Sequence, residues 1–129
     1  MNVKLPDTLQ VWEPTERWTT TRSEELYDIA RWGKGYFSIS ADGHILVHPT
    51  RDPARSIDLK KMVDTLVLRG IDPPILVRFP EILGLQMQEL NDVFQAAISE
   101  HNYQGRYVCV YPIKVNQQRH VVEEVYKFG

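Results

Sequence analysis

The sequence predicts an α/β fold with a parallel β element. Two apolar runs of strand length, residues 75–79 and 107–115, alternate with helical patterns from residue 57 onward. Both faces of the second run are apolar until Lys114, which is typical of a strand covered on both sides in a parallel sheet or barrel. The composition is that of an ordinary globular protein, with 43% hydrophobic and 25% charged residues over 129 positions.

Charge and hydropathy exclude several classes of protein. The net charge of −2 gives no basic footprint for nucleic acid. No apolar run approaches the roughly 18 residues of a membrane span, and the N-terminus lacks the layout of a secretion signal. The single cysteine, Cys109, lies within an apolar run and is interpreted as a buried small hydrophobe. We therefore expect a soluble cytoplasmic protein without nucleic-acid or membrane partners.

Residues 1–22 are polar, contain two prolines and show no periodicity, so we predict a loosely ordered N-terminal arm. A short helix over residues 23–32 follows, with Ser23 as a candidate N-cap and Gly33 as its end. Residues 36–49 then predict a β-hairpin around an Asp-Gly turn. The Gly-Lys-Gly sequence at residues 33–35 is not a dinucleotide-binding loop, because it lacks a preceding strand, a third glycine and a following helix.

His44 and His48 lie on the same face of the predicted second hairpin strand. Two histidines four positions apart on a strand are about 13 Å apart, too far to bind one metal ion. We therefore interpret both as surface or hydrogen-bonded residues and predict no metal site.

The part from residue 57 onward shows clear helix boundaries. A helix begins at a cap, either Ser56 or Asp58, and ends at Gly70. After the first apolar run, Pro80 suits the first turn of a long helix that runs to about His101. The second apolar run leads into another helix. This order favours an α/β arrangement.

Lys114 needs an explanation, because an ammonium on a strand with two apolar faces is costly unless it is paired, solvated or used. One interpretation is a lysine that forms a Schiff base, since an apolar setting favours the neutral, nucleophilic amine. The other is a strand-end lysine that reaches solvent. Pro112 cannot donate a ladder hydrogen bond and predicts an irregular strand end just before Lys114. Arg78, the charged residue of the first run, is either solvent-exposed or an anion contact.

The lysine segment at residues 110–124 reads VYPIKVNQQRHVVEE. It resembles the pyridoxal-phosphate lysine segment of the biosynthetic arginine decarboxylases, within the alanine-racemase-like group of enzymes. Further stretches of the chain are similar to that family in the same order: WGKGYFSI at 32–39, DGH at 42–44, IDL at 57–59, RGI at 69–71 and PILVRF at 74–79. The first twenty or so residues are less diagnostic.

The resemblance implies a fold class: the N-terminal portion of a pyridoxal-phosphate-binding (β/α)8 barrel, with a β-hairpin that belongs to an accompanying β-domain. On this interpretation residues 1–22 are the arm, 23–56 are the helix and hairpin of the β-domain, and 57–129 begin the barrel. A complete barrel needs about 250 residues, so the chain is expected to be an N-terminal fragment.

The resemblance also implies an activity. Lys114 would carry pyridoxal 5′-phosphate as a Schiff base, with Asn116 near the cofactor, and L-arginine would become agmatine and CO2 on a route to putrescine and spermidine. The family also uses Mg²⁺ and builds its active sites at a dimer interface in a homo-oligomer. Groups that hold the cofactor phosphate, the pyridine nitrogen and the substrate guanidinium are expected outside the 129 residues, so the chain alone is expected to be inactive.

Two alternatives stay open. The longer enzyme could decarboxylate another basic amino acid, because the residues that define the substrate are not in view. The chain could also be a small non-catalytic α/β binding module with an unremarkable lysine.

Overall fold

The computed structural model describes residues 17–129, in which five α-helices accompany one three-stranded antiparallel sheet. The mixed α/β composition is confirmed. Residues 1–16 of the predicted arm lie outside the described residues, so the prediction made for them stays a prediction. Whether the chain begins a barrel and shares in a β-domain also stays a prediction.

The first helical region consists of two short helices, α1 (Thr20–Leu26) and α2 (Ile29–Gly33), where the sequence predicted one. The predicted N-cap is wrong: the side chain of Thr19 caps α1 by accepting from the backbone N–H of Arg22, at 3.2 Å. The break between the helices falls at Asp28, whose φ of 50° is left-handed and incompatible with a continuous helix. The predicted end at Gly33 is confirmed.

The predicted hairpin is present as β1 (Phe37–Ile39) and β2 (Ile45–Val47), paired antiparallel. Its turn places Gly43 at φ 82°, a left-handed conformation that a glycine adopts without steric cost. A third strand, β3 (Ile57–Asp58), pairs antiparallel with β2 and was not predicted. The sheet therefore continues through Asp58, two residues beyond the predicted end of the β-domain part at residue 56.

The helix α3 (Leu59–Leu68) begins directly after β3. Asp58 caps it, because its Oδ1 accepts from the backbone N–H of Lys61 at 3.0 Å. Gly70 follows the helix at φ 79°, which suits a glycine after a helix C-terminus. Both predicted boundaries of this helix are confirmed, with Asp58 as the cap.

Two longer helices pack on each other, α4 (Pro80–Glu100) and α5 (Arg119–Phe128). Gly84 lets them approach closely, since a Cβ there would lie 2.8 Å from ring atoms of Phe128. Over the described residues, no helix combines the length and apolar character that a membrane crossing requires.

A polar cluster links the sheet region to α4. The Tyr36 ring is buried and lies under the guanidinium of Arg51, whose Cζ is 4.4 Å from the ring centroid. The same guanidinium forms an ion pair with Glu89 on α4, and Gln86 donates to the Tyr36 hydroxyl at 3.0 Å. We call Tyr36, Arg51, Gln86 and Glu89 the sheet–helix cluster.

The two apolar runs, residues 75–79 and 107–115, lie outside the sheet and form no ladder with any described segment. The strand predictions for both runs are therefore wrong for this chain as described. Period-2 alternation shows that a segment can occupy a strand, but a strand forms only where neighbouring strands supply hydrogen-bond partners. Among the described residues those neighbours are absent, and side chains such as Val110 and Leu76 are exposed.

Candidate active site

Lys114 lies on a single 3-10 turn, Ile113–Val115, between the second apolar run and α5. The carbonyl of Pro112 accepts from the backbone N–H of Val115 at 3.0 Å, which closes the turn. The sequence predicted an irregular strand end at Pro112; the structure has a 3-10 turn directly after Pro112, but no strand precedes it among the described residues.

The side chain of Lys114 is exposed. Within residues 17–129 its ammonium forms no ion pair and no hydrogen bond. The apolar setting that the sequence suggested is missing here, because Val110 and Val115 are themselves exposed rather than covered by further layers. The structure provides an accessible primary amine that no described side chain engages.

Asn116, the other predicted cofactor contact, is half-buried and shapes the chain after the turn. Its Oδ1 accepts from the backbone N–H of Gln118 at 3.3 Å, and its own N–H donates to the carbonyl of Ile113 at 3.1 Å. This use of the amide oxygen is an Asx turn, which fixes the backbone between the lysine and α5. The Nδ2 group of Asn116 remains available to donate.

Arg78 contacts the lysine segment from a distant part of the sequence. Its Nη2 donates to the Oε1 of Gln118, which lies 40 residues later in the chain. The exposure suggested for Arg78 is confirmed, and its described partner is an amide rather than an anion. Gln118 was missed, because no periodic pattern connects positions so far apart and the residue carries no charge.

At least four cavities border α4 in the described part of the chain, and Lys114 lines none of these four. One of about 600 Å³ is bounded by Tyr107, Cys109 and Phe128 among other residues. Another, about 440 Å³, is an apolar groove between the first turns of α4 and α5, with Arg78 and His120 on its border. A smaller one, about 290 Å³, is lined by Ile113, the residue before Lys114.

Tyr107 begins the second apolar run and packs flat against α4. Its ring stacks on Phe94 with centroids 4.3 Å apart and planes 4° from parallel. Burial raises the pKa of the Tyr107 hydroxyl above 10.0, and the neighbouring Cys109 thiol adds to the shift. Cys109 itself is exposed, so its predicted burial is wrong for the chain as described.

The two histidines of the hairpin region are hydrogen-bonded residues. His44 Nδ1 lies 2.9 Å from Asp58 Oδ2, and His48 Nε2 lies 2.8 Å from the hydroxyl of Ser38. His48 is buried and its Nδ1 has no partner among the described residues. Across residues 17–129, no group of three or more histidine, cysteine or acidic side chains could hold a metal ion.

Comparison with known proteins gives one consistent answer. The chain is 54% identical over 113 residues to the biosynthetic arginine decarboxylase of Rhodopirellula baltica. It is 46% identical over 114 residues to that of Geotalea uraniireducens and 46% identical over 115 residues to that of Thermosynechococcus vestitus. These matches cover 88–89% of this chain and 17–18% of the relatives. No family model matches the chain.

These relatives are all named biosynthetic arginine decarboxylase. The chain is homologous to one section of them, and the resemblance predicted from the lysine segment is confirmed. The chain spans about a sixth of the length of the curated relatives it matches.

The described residues fit the aldehyde group of pyridoxal phosphate, but they do not form a binding site for magnesium. The exposed primary amine of Lys114, which has no partner among residues 17–129, is the nucleophile that an aldehyde requires. For Mg²⁺, which takes carboxylate and other oxygen ligands, the described residues offer no suitable cluster, so no step below involves it.

Proposed function

We propose that this chain supplies the cofactor-bearing lysine of a pyridoxal-phosphate-dependent arginine decarboxylase. Two observations support the proposal and point to the same family. The lysine segment, VYPIKVNQQRHVVEE, resembles that of the biosynthetic arginine decarboxylases, and the relatives that the chain matches carry that name. The product would be agmatine, with release of CO2, on a route to putrescine and spermidine. We propose a cytoplasmic homo-oligomer with active sites at a dimer interface, on the resemblance alone.

Lys114 would hold the cofactor through its Nζ atom. When bound, pyridoxal phosphate supplies an electron sink that stabilises the carbanion left by loss of CO2. The amine of Lys114 can form this attachment directly, because no described carboxylate must first release it. Once displaced by the substrate amine, the same Nζ can return a proton to the product carbon.

Asn116 would assist from two residues away. Its Oδ1 is engaged with the backbone of Gln118, so the group that it can offer to a ligand is the Nδ2 donor. A donor in that place suits an oxygen on the cofactor. The remaining groups, which would bind the phosphate, the pyridine nitrogen and the substrate guanidinium, would come from further polypeptide.

The test is a full-length chimera in which this chain replaces the matching section of the Rhodopirellula baltica relative. We expect the chimera to convert arginine to agmatine and to favour arginine over lysine and ornithine. Lys114→Ala should abolish both activity and the borohydride-stable attachment of pyridoxal phosphate at position 114. Lys60→Ala, which removes another exposed lysine, is the matched control and should change neither.

Three outcomes bear on the proposal. Agmatine formation by the Lys114→Ala chimera would refute the role of the lysine, and preference for another basic amino acid would refute the substrate. The 129-residue chain alone should form no agmatine, because it holds one of the several groups that the reaction needs. Activity in the isolated chain would contradict that part of the proposal.

A further inference from the structure

A series of local hydrogen bonds, made by the backbone and by the Asn116 side chain, holds the segment from Pro112 to Val122, which contains Lys114. The 3-10 turn closes between Pro112 and Val115, the Asx turn follows at Asn116, and the carbonyl of Gln118 accepts from the first turn of α5. These bonds are all local in sequence. They fix the internal shape of the segment but not its place in the molecule.

Arg78 connects this segment to a distant part of the chain. Among the described side chains outside residues 112–122, Glu123 pairs with Arg119 one turn further along α5, and Arg78 is the one distant in sequence that hydrogen-bonds to the segment. Arg78 immediately precedes Phe79, the N-cap residue of α4, and Gln118 is the N-cap residue of α5. The contact therefore joins the starts of the two helices that flank the lysine segment.

The side chain of Gln118 is directed to Arg78 and not to its own helix. Gln118 makes no side-chain hydrogen bond to its own helix, although its position would allow a cap. Its Oε1 instead accepts from the guanidinium of Arg78. Arg31, Arg51 and Arg119 pair with carboxylates, whereas the described partner of Arg78 is a neutral amide.

We propose that Arg78, acting through Gln118, is a positioning residue for Lys114. This inference rests on the proposed function, in which Lys114 carries the cofactor. Gln118 is four residues from Lys114 and is tied to it by the Asx turn and the 3-10 turn, so a fixed Gln118 limits the directions that the lysine amine can take. Loss of the Arg78 donor leaves only the packing of α5 on α4 to hold the segment, and so lowers the fraction of time that the amine faces the cofactor aldehyde.

The test uses the full-length chimera that carries this chain. Arg78→Gln removes the charged donor, Gln118→Ala removes the acceptor, and Arg119→Gln is the matched control, an exposed arginine of the same segment paired with Glu123. The first readout is the rate at which added pyridoxal phosphate becomes attached to Lys114, measured by borohydride trapping and peptide mapping. The second is kcat and KM for arginine at saturating cofactor, with the melting temperature as the check on folding.

We expect Arg78→Gln and Gln118→Ala each to slow attachment by about threefold to tenfold, the range for an exposed charge-assisted hydrogen bond. The double variant should be no slower than the slower single variant, because both remove one contact. Arg78→Lys should restore part of the rate, since a lysine can still donate. Arg119→Gln should stay within about twofold of the parent, which is the spread of an ordinary surface substitution.

The inference is overturned if Arg78→Gln attaches the cofactor as fast as Arg119→Gln, or if the two single effects multiply in the double variant. If Arg78→Gln yields too little folded protein, Gln118→Ala decides alone, because it leaves the charge in place and alters an exposed position. Failure of the proposed function would be seen differently: the Lys114→Ala chimera would still decarboxylate arginine, or would still trap pyridoxal phosphate at another residue.

Discussion

His44 and Asp58 join the turn of the hairpin to the start of α3, with His44 Nδ1 2.9 Å from Asp58 Oδ2. The other oxygen of Asp58 caps α3 by accepting from the N–H of Lys61. The hydrogen bond from His44 is the main reason that the pKa of Asp58 falls from 3.8 to about 2, and the N–H of Lys61 adds to the effect. One carboxylate thus holds three elements together while it stays ionised.

The first prediction concerns acid stability. An acid whose pKa is lower in the folded state stabilises the fold above its unfolded value, and this contribution is lost as pH falls through the folded value. For Asp58 we therefore expect the urea midpoint of the chain to drop between about pH 4 and pH 2. In Asp58→Asn, which can still cap α3 but carries no charge, that part of the pH dependence should vanish.

Asp64→Asn is the matched control, since Asp64 pairs with Lys60 on the exposed side of the same helix. It should leave the acid limb almost unchanged. If both variants lose the drop in urea midpoint at low pH to the same extent, the drop reflects the overall charge of the chain and not the link between His44 and Asp58.

The second prediction concerns the sheet–helix cluster. Arg51→Ala removes both the cation–π contact with Tyr36 and the ion pair with Glu89. Arg51 and Glu89 are partly exposed, so we expect a loss of about 1 kcal/mol in the free energy of unfolding, shared between the two contacts. A double-mutant cycle with Glu89→Gln measures how much of this free energy comes from the ion pair. Lys60→Ala, which breaks the pair between Lys60 and Asp64 within one helix, is the control. A cycle energy of zero would leave the cation–π contact as the sole link made by Arg51.

Most of the helical structure was predictable because its signals are local. The cap at Asp58, the end at Gly70 and the start at Pro80 need nothing beyond neighbouring residues. The break at Asp28 could not be predicted, since neither a glycine nor a proline marks it. The two-residue strand β3 was missed for a similar reason: it is too short to show any periodicity.

The role of Lys114 rests on the similarity of its segment to the decarboxylase family and stays a prediction. The 3-10 turn that carries it was not predicted as such, since Pro112 indicated an irregular strand end. The strand around it was not confirmed, because strands depend on partners that the described residues do not supply. The contact between Arg78 and Gln118 depends on tertiary packing across 40 positions, which a pattern in a single sequence does not encode.

The third prediction concerns the exposed side chains of the second apolar run. Val110 is 82% exposed and Val115 is 76% exposed, so the isolated chain should bind a hydrophobic dye, and the double variant Val110→Ser, Val115→Ser should bind less of it. In the full-length chimera we expect the further polypeptide to cover both side chains. There the same substitutions should cost about 2 kcal/mol each in the free energy of unfolding.

Leu68→Ser is the comparison, because Leu68 is exposed in the same way but lies at the end of α3, outside the run. It should change the stability of the chimera by about 0.5 kcal/mol or less. A chimera that tolerates the double serine variant without loss would mean that the run stays uncovered in the longer protein.

The last prediction concerns Tyr107 and its stacking on Phe94. A raised pKa means that the folded state disfavours the phenolate, so stability is fully present below pH 10 and is lost as pH rises further. Phe94→Ala removes the stacked ring, admits water to the Tyr107 hydroxyl and should return its pKa toward 10.0. Ultraviolet titration of tyrosinate, taken as the difference from Tyr107→Phe, isolates this residue from the other tyrosines. Val93→Ala, an exposed neighbour on α4, should leave the titration in place, and a Tyr107 curve that is the same with and without Phe94 would show that the Phe94 ring does not cause the shift.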